Sequence, residues 1–186
     1  MSESKIEKVA GNYHTFFTKR FDRINGERIH FTSAMTMTGN TEETIRETRA
    51  SYIDLALFIS DYSGKINNDL SQLWRRIVFN IAISNTDDHL RNHGFIIENK
   101  SWKLSPAFDI NPSIDKEELA LNIDDSSGEL DFGLAIDVAE YFRLKKHDAF
   151  SIMSEVRNAI SNWEKLAKTI KISRVEIDLM RPAFRF

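Results

Sequence analysis

Between Leu70 and Ile81 the apolar residues Leu70, Leu73, Trp74, Ile77, Val78 and Ile81 recur at spacings of three and four, and this run constrains the fold more than any other. The spacing predicts a helix. Phe79, Ala82 and Ile83 widen its apolar arc beyond the single stripe of a surface helix, so the helix has to be central, with partners on most sides. Asn67, Asn68 and Asp69 supply a polar start. A chain of 186 residues can surround such a helix with one well-buried core, and is short for two.

Other elements arrange themselves around that helix. Asn40, with Glu43 three residues on, predicts a helix start, after which Ile45, Tyr52, Ala56 and Ile59 fall largely on one face. Tyr13 to Phe17 and Arg28 to Ser33 are rich in aromatic and β-branched residues, and Asn25-Gly26 between them predicts a tight turn, so the region reads as a β-hairpin. A second hairpin is expected from Gly94–Glu98 and Trp102–Leu104 around Asn99-Lys100-Ser101. Pro106 and Pro112 bracket Phe108-Asp109-Ile110-Asn111 and impose extended or turn geometry there. Toward the C-terminus Ala149, Met153, Val156, Ile160, Trp163, Ala167 and Ile170 form one long seam, which places Trp163, like Trp74, in the core. Ser173 with Glu176 predicts a capping box for a last helix through Met180, stopped before Pro182. The fold class is therefore α+β and predominantly α-helical.

Composition excludes several kinds of chemistry. With no cysteine there are no disulfides or thiolates, and a metal has to bind through oxygen or imidazole. A formal net charge of -3 argues against direct nucleic-acid binding or an anionic membrane surface. The polar start Met1-Ser-Glu-Ser-Lys-Ile-Glu-Lys and the absence of a long apolar run lead to the expectation of a cytoplasmic protein.

The chemistry is concentrated where the central helix pattern collapses, at Asn85-Thr86-Asp87-Asp88-His89-Leu90-Arg91-Asn92-His93-Gly94. Asp109 lies at the far end of the following hairpin, and paired strands bring it back toward Asn92 across 17 positions. Phosphoryl transfer uses such a set: a carboxylate to orient a hydroxyl and accept its proton, with Asn and Asp oxygens to hold Mg²⁺ against nucleotide phosphates. The bland alternative is that Asp87 and Asn92 merely close a loop. Asp88 reads as a structural neighbour, and His89 with His93 as weak grounds for a zinc site. Arg75, Arg76 and Arg91 read as solvated cations or carboxylate partners, and Asp124 to Glu129 as an exposed loop.

Asp87-x-x-x-x-Asn92 followed by Phe108-Asp109-Ile110 resembles the catalytic loop and metal-binding segment of protein-kinase-like enzymes. The wider text, Ile83 to Phe95 and Leu104 to Pro112, is similar to the HipA family of serine/threonine toxin kinases, as are Lys19-Arg20-Phe21-Asp22-Arg23 at that family's hinge and the tail ending Asp178-Leu179-Met180-Arg181-Pro182. The resemblance implies a small-lobe edge hairpin and hinge over residues 1–38 and a kinase-like helical large lobe over 39–186. It implies Asp87 as catalytic base, His89 as a hydrogen-bond donor to the transferring phosphate, and Asn92 and Asp109 as Mg²⁺ ligands. ATP would lie against Phe21, with the Lys19 carbonyl facing the adenine amine.

The same resemblance implies a protein substrate of the translation machinery, such as an aminoacyl-tRNA synthetase, and a DNA-binding antitoxin as partner. The family's Gly-rich loop, its ATP lysine and the glutamate that positions the lysine should all precede the hinge. Only about 18 residues do so here, with one glycine, Gly11, so a separately encoded small lobe is an expected partner. The rival readings are a non-catalytic pseudokinase or interaction module, and a metal-dependent hydrolase built on Asp87, Asp88 and His89.

Overall fold

The computed structural model describes residues 1–11 and 13–186. Its centre is α4 (Ile66–Ala82), where Leu70, Leu73, Trp74, Ile77, Val78, Ile81 and Ala82 are all buried. The helix packs against α3 (Tyr52–Tyr62) and α6 (Lys146–Ile160), with α5 (Phe132–Asp137) and a 3₁₀ turn at Ala139–Phe142 closing it off. Partners on several sides are what the wide apolar arc requires. Asp69, in the first turn of α4, is also buried. Its Oδ2 accepts from the Ser63 hydroxyl at 2.7 Å and from the Leu104 amide at 2.9 Å, which ties the helix start to a strand end.

That strand belongs to a three-stranded antiparallel sheet in the order β5 (Phe31–Ser33), β6 (Gly94–Glu98), β7 (Ser101–Leu104). β6 and β7 form the expected second hairpin, with Phe95 opposite Leu104 and Glu98 opposite Ser101. Asn99 and Lys100 turn it at φ 51° and 63°, the positive values a two-residue hairpin turn demands.

The N-terminal region departs from the sequence reading. Asn25-Gly26 does turn the chain (φ 51° and 85°), but it joins only β3 (Arg23–Ile24) to β4 (Glu27–Arg28). The flanking segments pair elsewhere: β2 (Thr15–Thr18) with β1 (Ser4–Glu7), and β5 with β6. Turn chemistry is local, whereas strand partners are chosen by long-range packing.

Helix boundaries differ as well. The expected helix from Asn40 is split into α2 (Glu42–Glu47) and α3, each started by its own capping box, at Thr41 with Thr44 and at Ser51 with Asp54. Two such starts within ten residues outweigh the shared apolar face. α6 ends at Ile160, and Ser161 and Asn162 redirect the chain into α7 (Trp163–Thr169), so the long seam is broken. Trp163 is consequently not a core residue. It is half-buried and stacks on Phe184, with ring centroids 3.9 Å apart and an interplanar angle of 5°. The Ser173–Glu176 capping box starts α8 (Arg174–Met180), and the chain after it returns to the end of α4, where the Arg185 amide donates to the Ala82 carbonyl at 2.7 Å. No helix among the described residues is long and apolar enough to cross a membrane.

Candidate functional site

α4 ends abruptly. Ile83 caps it, Ser84 takes a left-handed conformation (φ 50°), and Ser84, Asn85 and Thr86 remain buried as the chain turns. Asp87 then emerges exposed, and among the described residues its carboxylate accepts no hydrogen bond. His89 is half-buried, and its Nδ1 is buried without a hydrogen-bond partner among the described residues. A 3₁₀ turn at Leu90–Asn92 leads into β6.

The carboxamide of Asn92 joins the parts. Asn92 is 6% exposed, and its Nδ2 donates to the backbone carbonyls of Asp87, at 3.3 Å, and Asp109, at 3.4 Å. The β6–β7 hairpin thus returns the chain to its start, and Asp109 meets the loop as the hairpin geometry anticipated. With Nδ2 committed to two carbonyls, Oδ1 of Asn92 is the atom left to accept or ligate. Asp109 is exposed and held at φ 54°, a left-handed conformation uncommon for a non-glycine residue. Asn111 Nδ2 donates to its Oδ1 at 3.1 Å, which leaves Oδ2 open.

An oxygen from a carboxamide and one from a carboxylate, neither tied up by a hydrogen bond to the other, suit a hard cation that keeps waters and phosphate oxygens, as Mg²⁺ does. Among the described residues no group of three His, Asp or Glu converges in the manner of a zinc or multi-carboxylate centre. His93 has no nitrogen free for a metal, because Nε2 faces Asp88 at 2.7 Å and Nδ1 faces Arg76 at 3.5 Å.

Asp109 sits on the wall of a cavity of about 730 Å³ between β1–β2 and the 107–112 segment, with Phe16, Thr18, Phe79 and Phe108 among the lining residues. Phe21 is half-buried in an aromatic trio, 5.6 Å from Phe31 and 5.6 Å from Phe108, the residue before Asp109. Phe21 is therefore packed against the residue that precedes Asp109. Lys19 is exposed. Its amide donates to the Glu3 carbonyl at 2.8 Å and its ammonium pairs with Glu3 at 3.1 Å. Asp22 accepts from Arg20 at 2.8 and 2.6 Å, and these bonds, with the charges of Arg20 and Arg23 prevailing over desolvation, bring its carboxyl down to about 2.

A family profile described as HipA-like C-terminal domain matches residues 1–163. The chain belongs to the HipA-like C-terminal domain family. Its fold is similar to that of a chain in the Shewanella oneidensis MR-1 toxin–antitoxin complex of HipA, HipB and operator DNA, with a TM-score of 0.74 and 18% sequence identity, covering 98% of this chain. This HipA-like chain spans 49% of that chain, about half its length. No curated protein sequence matches it.

The sequence did not reveal what lies beneath the loop. Asp88 is buried, and its Oδ2 receives both the Tyr52 hydroxyl and His93 Nε2. Asn80 Nδ2 donates to the Tyr52 oxygen at 3.1 Å, and Asn80 Oδ1 accepts from Asn85 Nδ2 at 3.0 Å. Asn85 Oδ1 in turn accepts the Asn111 amide at 3.4 Å. Arg76, expected on the surface, is instead drawn into this network, with Nη1 toward His93 and Nη2 on the Ser105 carbonyl. Arg75 and Arg91 do pair with carboxylates, Glu155 and Glu42 respectively.

Burial works against the Asp88 charge, yet attraction to His93, the hydrogen bonds from His93 and Tyr52, and the Arg76 charge hold its carboxyl below the usual range. Burial, then the Asp88 charge, hold the Tyr52 hydroxyl well above its usual value, so it stays a donor. Burial lowers Arg76 to about 10, which leaves it cationic at neutral pH. One signal for this cluster was present in the sequence: Arg76 and Asn80 interrupt the otherwise apolar arc of α4.

Proposed function

We propose that this chain carries the catalytic base and the magnesium ligands of an ATP-dependent serine/threonine protein kinase, the toxin component of a toxin–antitoxin pair. The observation that supports this reading is the Asn92 carboxamide, whose two hydrogen bonds hold the backbones of Asp87 and Asp109 together. Asp87, exposed and without a hydrogen-bonding partner among the described residues, orients the substrate hydroxyl and accepts its proton. Asn92 Oδ1 and the Asp109 carboxylate are the oxygens that would hold Mg²⁺, which when bound neutralises phosphate charge. His89, two residues after Asp87, is the donor to the phosphate being transferred; its Nδ1 is buried, so Nε2 is the nitrogen that would make that bond. Phe21 and the Lys19 carbonyl border the adenine.

The protein substrate belongs to the translation machinery, an aminoacyl-tRNA synthetase being the type the family resemblance implies. The fold neighbour's presence with HipB and operator DNA supports an antitoxin-like, DNA-binding partner for this chain too. Catalysis of this kind depends on fixing the phosphates, so a lobe bearing a Gly-rich loop and a lysine completes the site, on the same polypeptide or a second one.

The test is transfer of radiolabelled phosphate from ATP. With the complementary lobe present, Mg²⁺-dependent transfer is expected, and Asp87→Asn should lower it by about 10²–10⁴-fold, the range for a positioned general base. The chain by itself should transfer little. Transfer that survives Asp87→Asn intact would overturn the assignment, and phosphatase turnover by the chain alone would favour a hydrolase.

A further inference from the structure

The network under the loop has a layout that follows the chemistry. Asp88 immediately follows Asp87, and His93 immediately follows Asn92. The two neighbours meet at 2.7 Å in a buried pair whose side chains are 3% and 1% exposed. One contact thereby closes the turn of residues 88–93, which carries Asn92 and begins next to Asp87. Arg76 can only donate, so in the neutral ring its approach makes His93 Nδ1 the acceptor and puts the proton on Nε2, facing Asp88. Tyr52 completes the coordination of the same Asp88 oxygen from the first turn of α3, and Asn80 fixes Tyr52.

Arg76 and Asn80 both stand on α4, the most deeply packed helix of the fold. From there the network reaches the Asp109 side of the site twice, through Arg76 on the Ser105 carbonyl and through Asn85 on the Asn111 amide. An apolar cluster of similar volume stabilises a core at least as well as a buried ionic one. A fully connected polar network is the arrangement that specifies one geometry, and here it lies directly beneath the residues proposed to act.

We infer that Asp88, His93 and Tyr52 are positioning residues that set Asp87 and Asn92 relative to one another, so that metal binding at Asn92 and Asp109 depends on side chains that touch no ligand. This rests on the phosphoryl-transfer reading of the site.

The experiment is an NMR titration of the ¹⁵N-labelled chain with MnCl₂ alone, following paramagnetic broadening. The Asn92 side-chain amide and the Asp109 and Asn111 backbone amides are compared with Asp125 and Ser126 in the exposed acidic loop, an internal measure of unspecific binding. In the unmodified chain the site signals broaden at lower Mn²⁺ than the loop signals. Loss of an outer-shell partner typically weakens metal binding about 10–100-fold, so His93→Leu should abolish that preference. Tyr52→Phe should reduce it in the same direction. His93→Gln should restore it, because a carboxamide can donate to Asp88 and accept from Arg76.

Folded His93→Leu and Tyr52→Phe proteins that keep the full preference would overturn the inference and leave the metal reading standing. If the unmodified chain shows no preference, the metal reading itself falls, and the inference with it. Should His93→Leu fail to fold, Tyr52→Phe, which removes a single oxygen atom, decides by the same ratio.

Discussion

Replacing each of two tryptophans by alanine separates what local pattern implies from what packing does. Trp74 is fully buried between α4 and its neighbours, and its Nε1 donates to the Ala135 carbonyl at 2.9 Å. Trp74→Ala removes a large aromatic from a packed core, at a cost of about 3–5 kcal/mol. The Ala135 carbonyl then loses its partner in a buried setting, which adds about 1–3 kcal/mol. The sum approaches the whole stability of an ordinary domain, about 5–15 kcal/mol. Trp163 is half-buried against Phe184. Trp163→Ala forfeits a stacked aromatic pair, about 0.5–1.5 kcal/mol, and part of an apolar burial, for a total of about 1–2 kcal/mol.

Urea unfolding followed by far-ultraviolet circular dichroism measures both, with the slope expected to stay constant. Trp74→Phe keeps most of the volume and isolates the hydrogen-bond loss, about 1–3 kcal/mol. Equal destabilisation by the two alanine variants would refute the reasoning, as would a Trp74→Ala cost below about 1 kcal/mol, far under the range for core aromatics.

Three further outcomes can be checked on the same chain. A Cβ at Gly94 would lie 2.3 Å from Phe31 Cε2 and 3.0 Å from the Thr32 carbonyl. Gly94→Ala should therefore destabilise by about 1–3 kcal/mol and shift the Phe31 ring resonances; an unchanged spectrum would show that β5 yields freely. Hydrogen bonds from Lys65 and then Lys103 draw the Glu98 carboxyl down to about 2, and a depressed carboxyl contributes stability above its unfolded value that is lost as pH falls through the folded one. Glu98→Gln should therefore be the less stable protein at neutral pH, with the difference closing between about pH 4.5 and 2; a difference independent of pH would contradict this. Ser173→Ala removes the capping-box acceptor of α8 and should cost about 0.5–2 kcal/mol. The readout is earlier loss of amide protection in Arg174–Met180 by hydrogen exchange, and protection equal to that of the unmodified chain would count against the cap.

The legible parts of this protein are those whose cause lies within a turn or two of chain. The central burial of α4 follows from its own apolar arc, the Asn25-Gly26 turn from residues that tolerate positive φ, the second hairpin from Asn99-Lys100-Ser101 lying between two strand-like runs, and the start of α8 from Ser173 and Glu176. The meeting of Asn92 with Asp109 was legible as well, because a hairpin returns its end to its beginning. The sequence by itself thus determined the central helix, the turns and the approach of the chemistry-bearing loop to Asp109.

Tertiary structure decided the rest. Strands β1 and β2 are exposed along their whole length, so no buried face written into their sequence marks their partner or register. Trp163 kept the periodicity of α6 but lost its place in the core when Ser161 and Asn162 turned the chain. The buried set beneath the loop joins Tyr52 to Asp88 across 36 positions and Arg76 to His93 across 17. A charged side chain reads as surface in sequence, and only the closed interior, where water is absent and each donor must find an acceptor, makes Arg76, Asp88 and His93 one unit.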